Sequence, residues 1–446
     1  CMSFGEDTNI NISSSILDQN LANQSGGALK VDNNMILGIS NLIVRHNIAR
    51  EGYGGVFSSG NRFKLYSKNI AFVGNAAMER NGGCISGSSN GSAVFDNVSF
   101  TSNSAGKHGG VVVYDDAVNI AFVNSKMENN RAGLSGGCLF LQNSNYVSVS
   151  KSRFTKNIAS NKNGGCIAMK LDSSITIDHS VLSDNYANVD GGGIYVQNNS
   201  NVVSLSASIV INNTAHLGNG GAIYGSATSI SNTNFTDNSA MHNGGALYTN
   251  VLISNALTIT NTKFHKNSAH RSSGGGIHIN NTYSHPTSVY LDKCHITSNT
   301  AYNDGGFMYS NDTEIRFYVT MSTLIGNTAS NGDGGCIYGL LQVGKNSAFL
   351  LNSAKRNGGV FAGIFDDDDI IRFESCKFYG NIASSGSGGS LYVHGGKSIY
   401  IEAAAAEGNS ADVCAGFLYS SQASLYLTNS FFVKNYANTG NGGVFF

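Results

Sequence analysis

With 446 residues, an apolar share of 41%, a charged share of 12% and a formal charge of −1, the chain is neither a charged disordered segment nor a nucleic-acid binder. A single proline, Pro286, no tryptophan, 55 glycines and about as many asparagines argue against long helices. No run of about 18 apolar residues is present to cross a bilayer, and the near-zero charge leaves little repulsion to oppose self-association.

The chain opens Cys1-Met2-Ser3 without a basic and apolar leader, so a secretion signal is expected to have been removed or to lie outside this segment. One unit then repeats to the end. It is an Asn-x-Ala tripeptide, with a large apolar residue three positions before the asparagine in most copies and a Gly-Gly pair three to five residues after the alanine. The asparagines are Asn20, Asn47, Asn75, Asn103, Asn130, Asn157, Asn185, Asn213, Asn238, Asn267, Asn299, Asn327, Asn352, Asn381, Asn409 and Asn435, spaced by 25 to 32 residues and mostly by 27 or 28. Phe72, Phe100, Phe154, Phe235, Phe264, Phe378 and Phe432 occupy the apolar position, and the glycine pair is replaced only at Ala415-Gly416. Composition never shifts enough to mark a linker, so residues 1–446 are expected to form a single continuous domain.

Upstream of the phenylalanine position, apolar residues recur at every second place, as at Ile175 and Ile177 or Leu257 and Ile259. That is strand periodicity, and no repeat holds the amphipathic stretch of about 10 to 15 residues that a βαβ unit needs. A short unit of strand and turn cannot bury its own apolar face and must stack on copies of itself. The expectation is an all-β fold: a right-handed, single-stranded parallel β-helix of about 16 coils, the hand following from parallel crossovers. At about 4.8 Å per coil the rod should be roughly 75 Å long. In it the phenylalanines and the small residues after Gly-Gly point inward, and the asparagines form a ladder of amide hydrogen bonds from coil to coil. The glycine pair either takes backbone angles closed to other residues or permits close approach.

The F-x-x-N and Gly-Gly-Ala-Ile or Gly-Gly-Ala-Leu residues, seen together in Phe235 to Tyr248 (FTDNSAMHNGGALY) and nearly so in Leu324 to Tyr338 (LIGNTASNGDGGCIY), resemble the repeats of the chlamydial polymorphic outer-membrane proteins. The resemblance covers all sixteen repeats and implies a surface-exposed β-helix with a role in adhesion. Similar repeats also occur in large surface proteins of protists, and a stacking motif records architecture rather than ligand. The repeat runs on to Gly442-Gly443-Val444-Phe445-Phe446 without the membrane barrel of an autotransporter, so either the barrel was cut away or this is another kind of protein. The expected role is that of a secreted or cell-surface structural protein, not an enzyme, stacking end to end with copies of itself into a filament. The alternative is the passenger domain of an adhesin that meets glycans or a receptor, and a carbohydrate-active β-helix enzyme ranks below both. No cofactor, nucleic-acid partner or membrane span is expected.

Taken along the chain, four cysteines, Cys84, Cys138, Cys166 and Cys336, follow Gly-Gly directly, where small buried residues belong. Cys138 and Cys166 lie in consecutive coils within reach of a disulfide, while Cys294 and Cys376 share another position three coils apart. Nine Asn-x-Ser/Thr sequons occur, and the glycosylation candidates are Asn280, Asn311, Asn90, Asn97, Asn198 and Asn234. His216, His242 and His270 follow the alanine of three consecutive repeats, a spacing that suits exposed turn residues or a metal column. Asp366 to Asp369 form the one acidic run, without the glycine and alternation of a calcium loop. The carboxylate clusters of polysaccharide hydrolases do not stand out.

Overall fold

The fold, known from a computed structural model, is described for residues 2–4, 8–143, 145–197, 202–250, 256–280, 287–366 and 368–446. Among these residues there is no helix. Short strands pair in parallel into three sheets of a β-solenoid of about 15 turns. Two compact units, Cys1–Ser226 and Ala227–Phe446, are built alike, each with eight of the two-residue strands that end in the repeat alanine.

A coil is clearest in the first unit. Strand Asn119–Val123 stacks in register on Tyr146–Ser150, which stacks on Ser174–Asp178 and then on Val202–Ser206. After a corner, the strands that carry the phenylalanine position follow, Lys126–Glu128, Arg153–Thr155, Val181–Ser183 and Ile209–Ile211. Together these make the broad sheet. A tight turn leads to the alanine sheet, Arg131–Ala132, Ile158–Ala159, Tyr186–Ala187 and Thr214–Ala215. A loop and the glycine pair then open the glycine sheet, Leu139–Asn143, Ile167–Met169, Ile194–Val196 and Ile223–Tyr224.

Alternation decides which side chains enter the core. Ile175 and Ile177 point inward and are buried, whereas Ser174, Thr176 and Asp178 between them face outward. Because neighbouring strands are in register, inward residues form columns. Phe72 stacks on Phe100 at 4.7 Å, Phe95 on Phe122 at 4.8 Å, Phe235 on Phe264 at 4.9 Å and Phe349 on Phe378 at 5.1 Å, each with nearly parallel rings. The strand spacing of about 4.8 Å imposes this offset stacking, and each buried ring contributes about 2 kcal/mol from apolar burial. In the second unit the register slips between Phe317 and Tyr318 against Leu340–Lys345, next to one of the two shortest intervals between repeat asparagines, Asn327 to Asn352.

The two glycines of a pair do different things. Gly164 takes φ +66, a left-handed backbone, whereas a Cβ on Gly165 would lie 2.1 Å from the carbonyl oxygen of Gly192 in the next coil. At the exceptional pair, Ala415 adopts the left-handed angle itself, with φ 58. Alanine therefore replaces the glycine whose task is conformational, and the glycine whose task is close approach remains.

Candidate recognition surface

From Asn47 onward the repeat asparagines are almost entirely withdrawn from solvent, which obliges every polar atom to find a partner, while Asn20 is half-buried. Asn157 shows how. Its backbone N–H and its Nδ2 both donate to Oδ1 of Asn185, at 3.0 Å each, and its Nδ2 also donates to the carbonyl of Met127 at 3.1 Å. Its own Oδ1 accepts from the N–H and Nδ2 of Asn130, again at 3.0 Å. The pattern runs unbroken from Asn20 to Asn213 in the first unit and from Asn238 to Asn435 in the second.

Two further polar columns are not evident in the repeat motif. In the first, Ser125, Ser152, Ser180 and Ser208 at the corner of the broad sheet each accept the N–H of the preceding coil through Oγ. Cys294 occupies this serine column, its Sγ donating to the carbonyls of Ile259 and Asp292 at 3.4 Å. In the second, the residue before Gly-Gly accepts the N–H of the following coil: Asp304 Oδ1 takes it from Asp333 at 2.8 Å and Asp333 Oδ1 from Asn357 at 2.7 Å. Arg356 bridges the two aspartates, at 3.2 Å from Asp304 and 3.0 Å from Asp333. Burial nevertheless raises the Asp333 carboxyl above its ordinary 3.8. These carboxylates hold adjacent coils together.

Beside this turn column, outward positions of the glycine sheet carry a row of aromatic rings. In the second unit Tyr248 stacks on His278 at 5.1 Å, His278 on Tyr309 at 4.8 Å and Tyr309 on Tyr338 at 5.2 Å. Further on, Tyr392 stacks on Tyr419 at 4.9 Å and Tyr419 on Phe446 at 5.4 Å. The first unit has Tyr195 on Tyr224, at 5.1 Å. Burial holds His278 down at about 4, against the smaller opposing pull of a hydrogen bond to the Ser273 backbone, and pushes the Tyr309 hydroxyl up to about 12. The row is therefore uncharged at neutral pH. Rings stacked in this way turn their faces to one another and their edges and hydroxyls outward, so a face is free for recognition by stacking only where the row is interrupted.

The family model for the Chlamydia polymorphic membrane protein (Pmp) repeat matches residues 232–250, which run from the corner of the broad sheet through Asn238 to the glycine strand Leu247–Asn250. No curated protein and no solved structure matches the chain. The matched repeat is one coil of a solenoid whose other coils reproduce it. The chain is a β-helix repeat protein whose residues 232–250 are similar to the Pmp repeat. The match associates it with surface-exposed β-helical proteins of the bacterial outer membrane. Among the described residues, no helix is long and apolar enough to cross a membrane.

The other residues singled out in the Pmp-like sequence are dispersed. Cys138 and Cys166 are buried free thiols, so the disulfide that their spacing admits is not formed. On parallel strands in register, adjacent side chains run side by side instead of converging on the short Cβ separation that a disulfide needs. Burial raises the Cys138 thiol well above its ordinary value. His216, His242 and His270 are all exposed, His216 against the Tyr186 ring and His270 bonded to Ser239 Oγ at 2.9 Å. Among the described residues, no group of three His, Cys, Asp or Glu side chains is placed to hold a metal ion. In the acidic run, Asp369 is buried and paired with Arg316 at 3.2 Å, while Asp367 lies outside the described residues. Of the sequon asparagines, Asn90, Asn97, Asn234 and Asn311 are exposed, and Asn97 donates Nδ2 to Asn69 at 2.8 Å. Asn280 is half-buried with Nδ2 at 3.3 Å from the Tyr248 hydroxyl, and Asn198 lies outside the described residues.

Proposed function

We propose that the chain is the structural part of a cell-surface protein, a β-solenoid stalk that gains length coil by coil and stacks end to end on further copies of itself. The observation that carries this reading is the sameness of the coil surface. Each coil offers the next the same asparagine donors and acceptors, the same apolar columns and the same register, so one coil is a template for another. The columns emerge half-exposed at Ile10, Ile12 and Leu17 in the first unit, and at Leu425 and Phe432 in the second. Leu427 is 42% exposed, whereas its register partner Ile401 is 1% exposed.

A second reading, an adhesin passenger that binds through its sides, is supported by the outward aromatic row. The two differ in solution. For the isolated chain, electron microscopy together with light scattering should show fibres that lengthen with protein concentration. Short single particles at every concentration would refute end-to-end assembly and leave the passenger reading in its place.

A further inference from the structure

The aromatic row of the second unit is interrupted once. The strand register runs Tyr309, Tyr338, Ala362, Tyr392, Tyr419, so that an alanine stands where every neighbouring coil holds a tyrosine. Ala362 is buried and forms a floor, with Tyr338 on one side and Tyr392 on the other. Above it lies a cavity of about 270 Å³, bounded also by Asp333, Asn357, Ile364 and His394.

The unbroken part of the row shows what such a gap accommodates. His278 and Tyr338 flank Tyr309 at 4.8 and 5.2 Å, so two steps of the ladder hold one flat ring between two others. Tyr338 and Tyr392 are likewise two steps apart, about 10 Å at the strand spacing, and the ring between them is missing. The first unit has the same substitution at Ala168, between Phe140 and Tyr195, but there Tyr195 packs against the cluster of Val113, Phe140 and Ala168 and the protein covers its own gap. Around Ala362 the space stays open. Its rim is polar on one side, where Asp333, with Oδ1 filled by the N–H and Nδ2 of Asn357 and Oδ2 paired with Arg356, keeps one lone pair on Oδ2, and apolar on the other, where Ile364 is 57% exposed. His394 stands at the same edge with Nδ1 held by Ser421 at 2.8 Å.

We infer that the gap over Ala362 is a binding site for a flat aromatic ring that carries an N–H or O–H donor, stacked between Tyr338 and Tyr392 with its donor toward Asp333. A pyranose ring is thicker and puckered, and fits two parallel faces at this spacing less closely. The ring can come from a free heteroaromatic molecule or from an aromatic side chain of a partner, since the recognising chemistry is shared.

The protein lacks tryptophan, so the emission of indole reports its own binding. Indole should titrate saturably onto the full chain, N-methylindole at least tenfold more weakly, and methyl glucoside without competing. Ala362→Tyr, which restores the missing ring, should lower indole affinity at least tenfold while leaving the melting temperature unchanged or raised. Tyr392→Ala, which removes one wall, should lower it similarly and covers the case in which the restored tyrosine disturbs the fold. A tripeptide Ala-Trp-Ala that binds more tightly than indole assigns the ring to a partner side chain, and weaker binding assigns it to a free molecule. Absence of saturable binding by both indole and the tripeptide overturns the inference, as does binding that survives both substitutions or is displaced by the glucoside. Equal binding of N-methylindole overturns the assignment of the donor to Asp333.

Discussion

Replacing Asn157 with alanine tests whether the ladder holds the coils together. The change deletes the two bonds that the side-chain amide donates, to Asn185 and Met127, and the two that its oxygen accepts from Asn130. Asn130 is fully buried, so its backbone N–H loses its acceptor with no water to take its place. The Asn130 amide keeps its bond to the Phe100 carbonyl, and Asn185 Oδ1 keeps the Asn157 backbone N–H. With about 1 to 3 kcal/mol for the stranded Asn130 N–H and about 0.5 to 1.5 kcal/mol for each of the other three lost bonds, the expected cost is about 3 to 7 kcal/mol. Asn157→Asp is the sharper comparison. A carboxylate keeps the acceptor for Asn130 but faces the Asn185 oxygen and the Met127 carbonyl with no proton to offer, so burial and repulsion raise its pKa. That variant should be least stable at neutral pH and recover part of its loss at pH about 4, where the protonated acid donates one bond. Asn157→Ala should cost the same at both pH values. Urea denaturation at the two pH values decides: an alanine cost below about 1 kcal/mol, or an aspartate cost independent of pH, would refute the ladder as a source of stability.

The remaining predictions concern the aromatic row and the glycine pair. Burial lowers His278 from 6.5 to about 4, so the fold favours neutral imidazole while the unfolded chain takes up the proton. Its contribution is therefore complete above pH 6.5, is lost as the pH falls toward 4, and amounts to about 3 kcal/mol across that window. His278→Tyr, which matches Tyr248 and Tyr309 on either side, should remove this part of the acid sensitivity. A wild-type to variant difference that is equal at pH 7 and pH 4 in thermal melts would count against it. Gly165→Ala places a methyl group 2.1 Å from the Gly192 carbonyl oxygen and must push two coils apart, for a loss of about 3 kcal/mol measurable by the same melts. A melting temperature equal to wild type would show that the coils can separate freely.

Much of the architecture can be read from the residues, because each coil meets the same local demands. Alternation at Ile175 and Ile177, Asn-x-Ala at a steady interval and a glycine pair after it are conditions that a strand, a buried turn and a close approach impose wherever they occur. The backbone of the turn itself leaves a weaker mark. The residue before each ladder asparagine is left-handed, and half of these residues are Gly, Asn or Asp, as at Gly74 and Asn129, yet Lys156 with φ 56 and Leu351 with φ 54 do not favour that angle. There the side chain is exposed and the hydrogen bonds of the asparagine that follows hold the conformation, so the preference is visible only when all the coils are aligned. The serine column is hidden for a related reason: serine is common everywhere in this chain, and only stacking shows which hydroxyls accept an N–H from the neighbouring coil. Ala362 was the least legible of all. It lies 24 residues after Tyr338 and 30 before Tyr392, so counting by the usual 27 or 28 misplaces it. The repeat determines that the coils stack. The pairing of strands in three dimensions decides which side chains become neighbours, because loops of unequal length absorb the differences in count and hydrogen bonds alone restore the register.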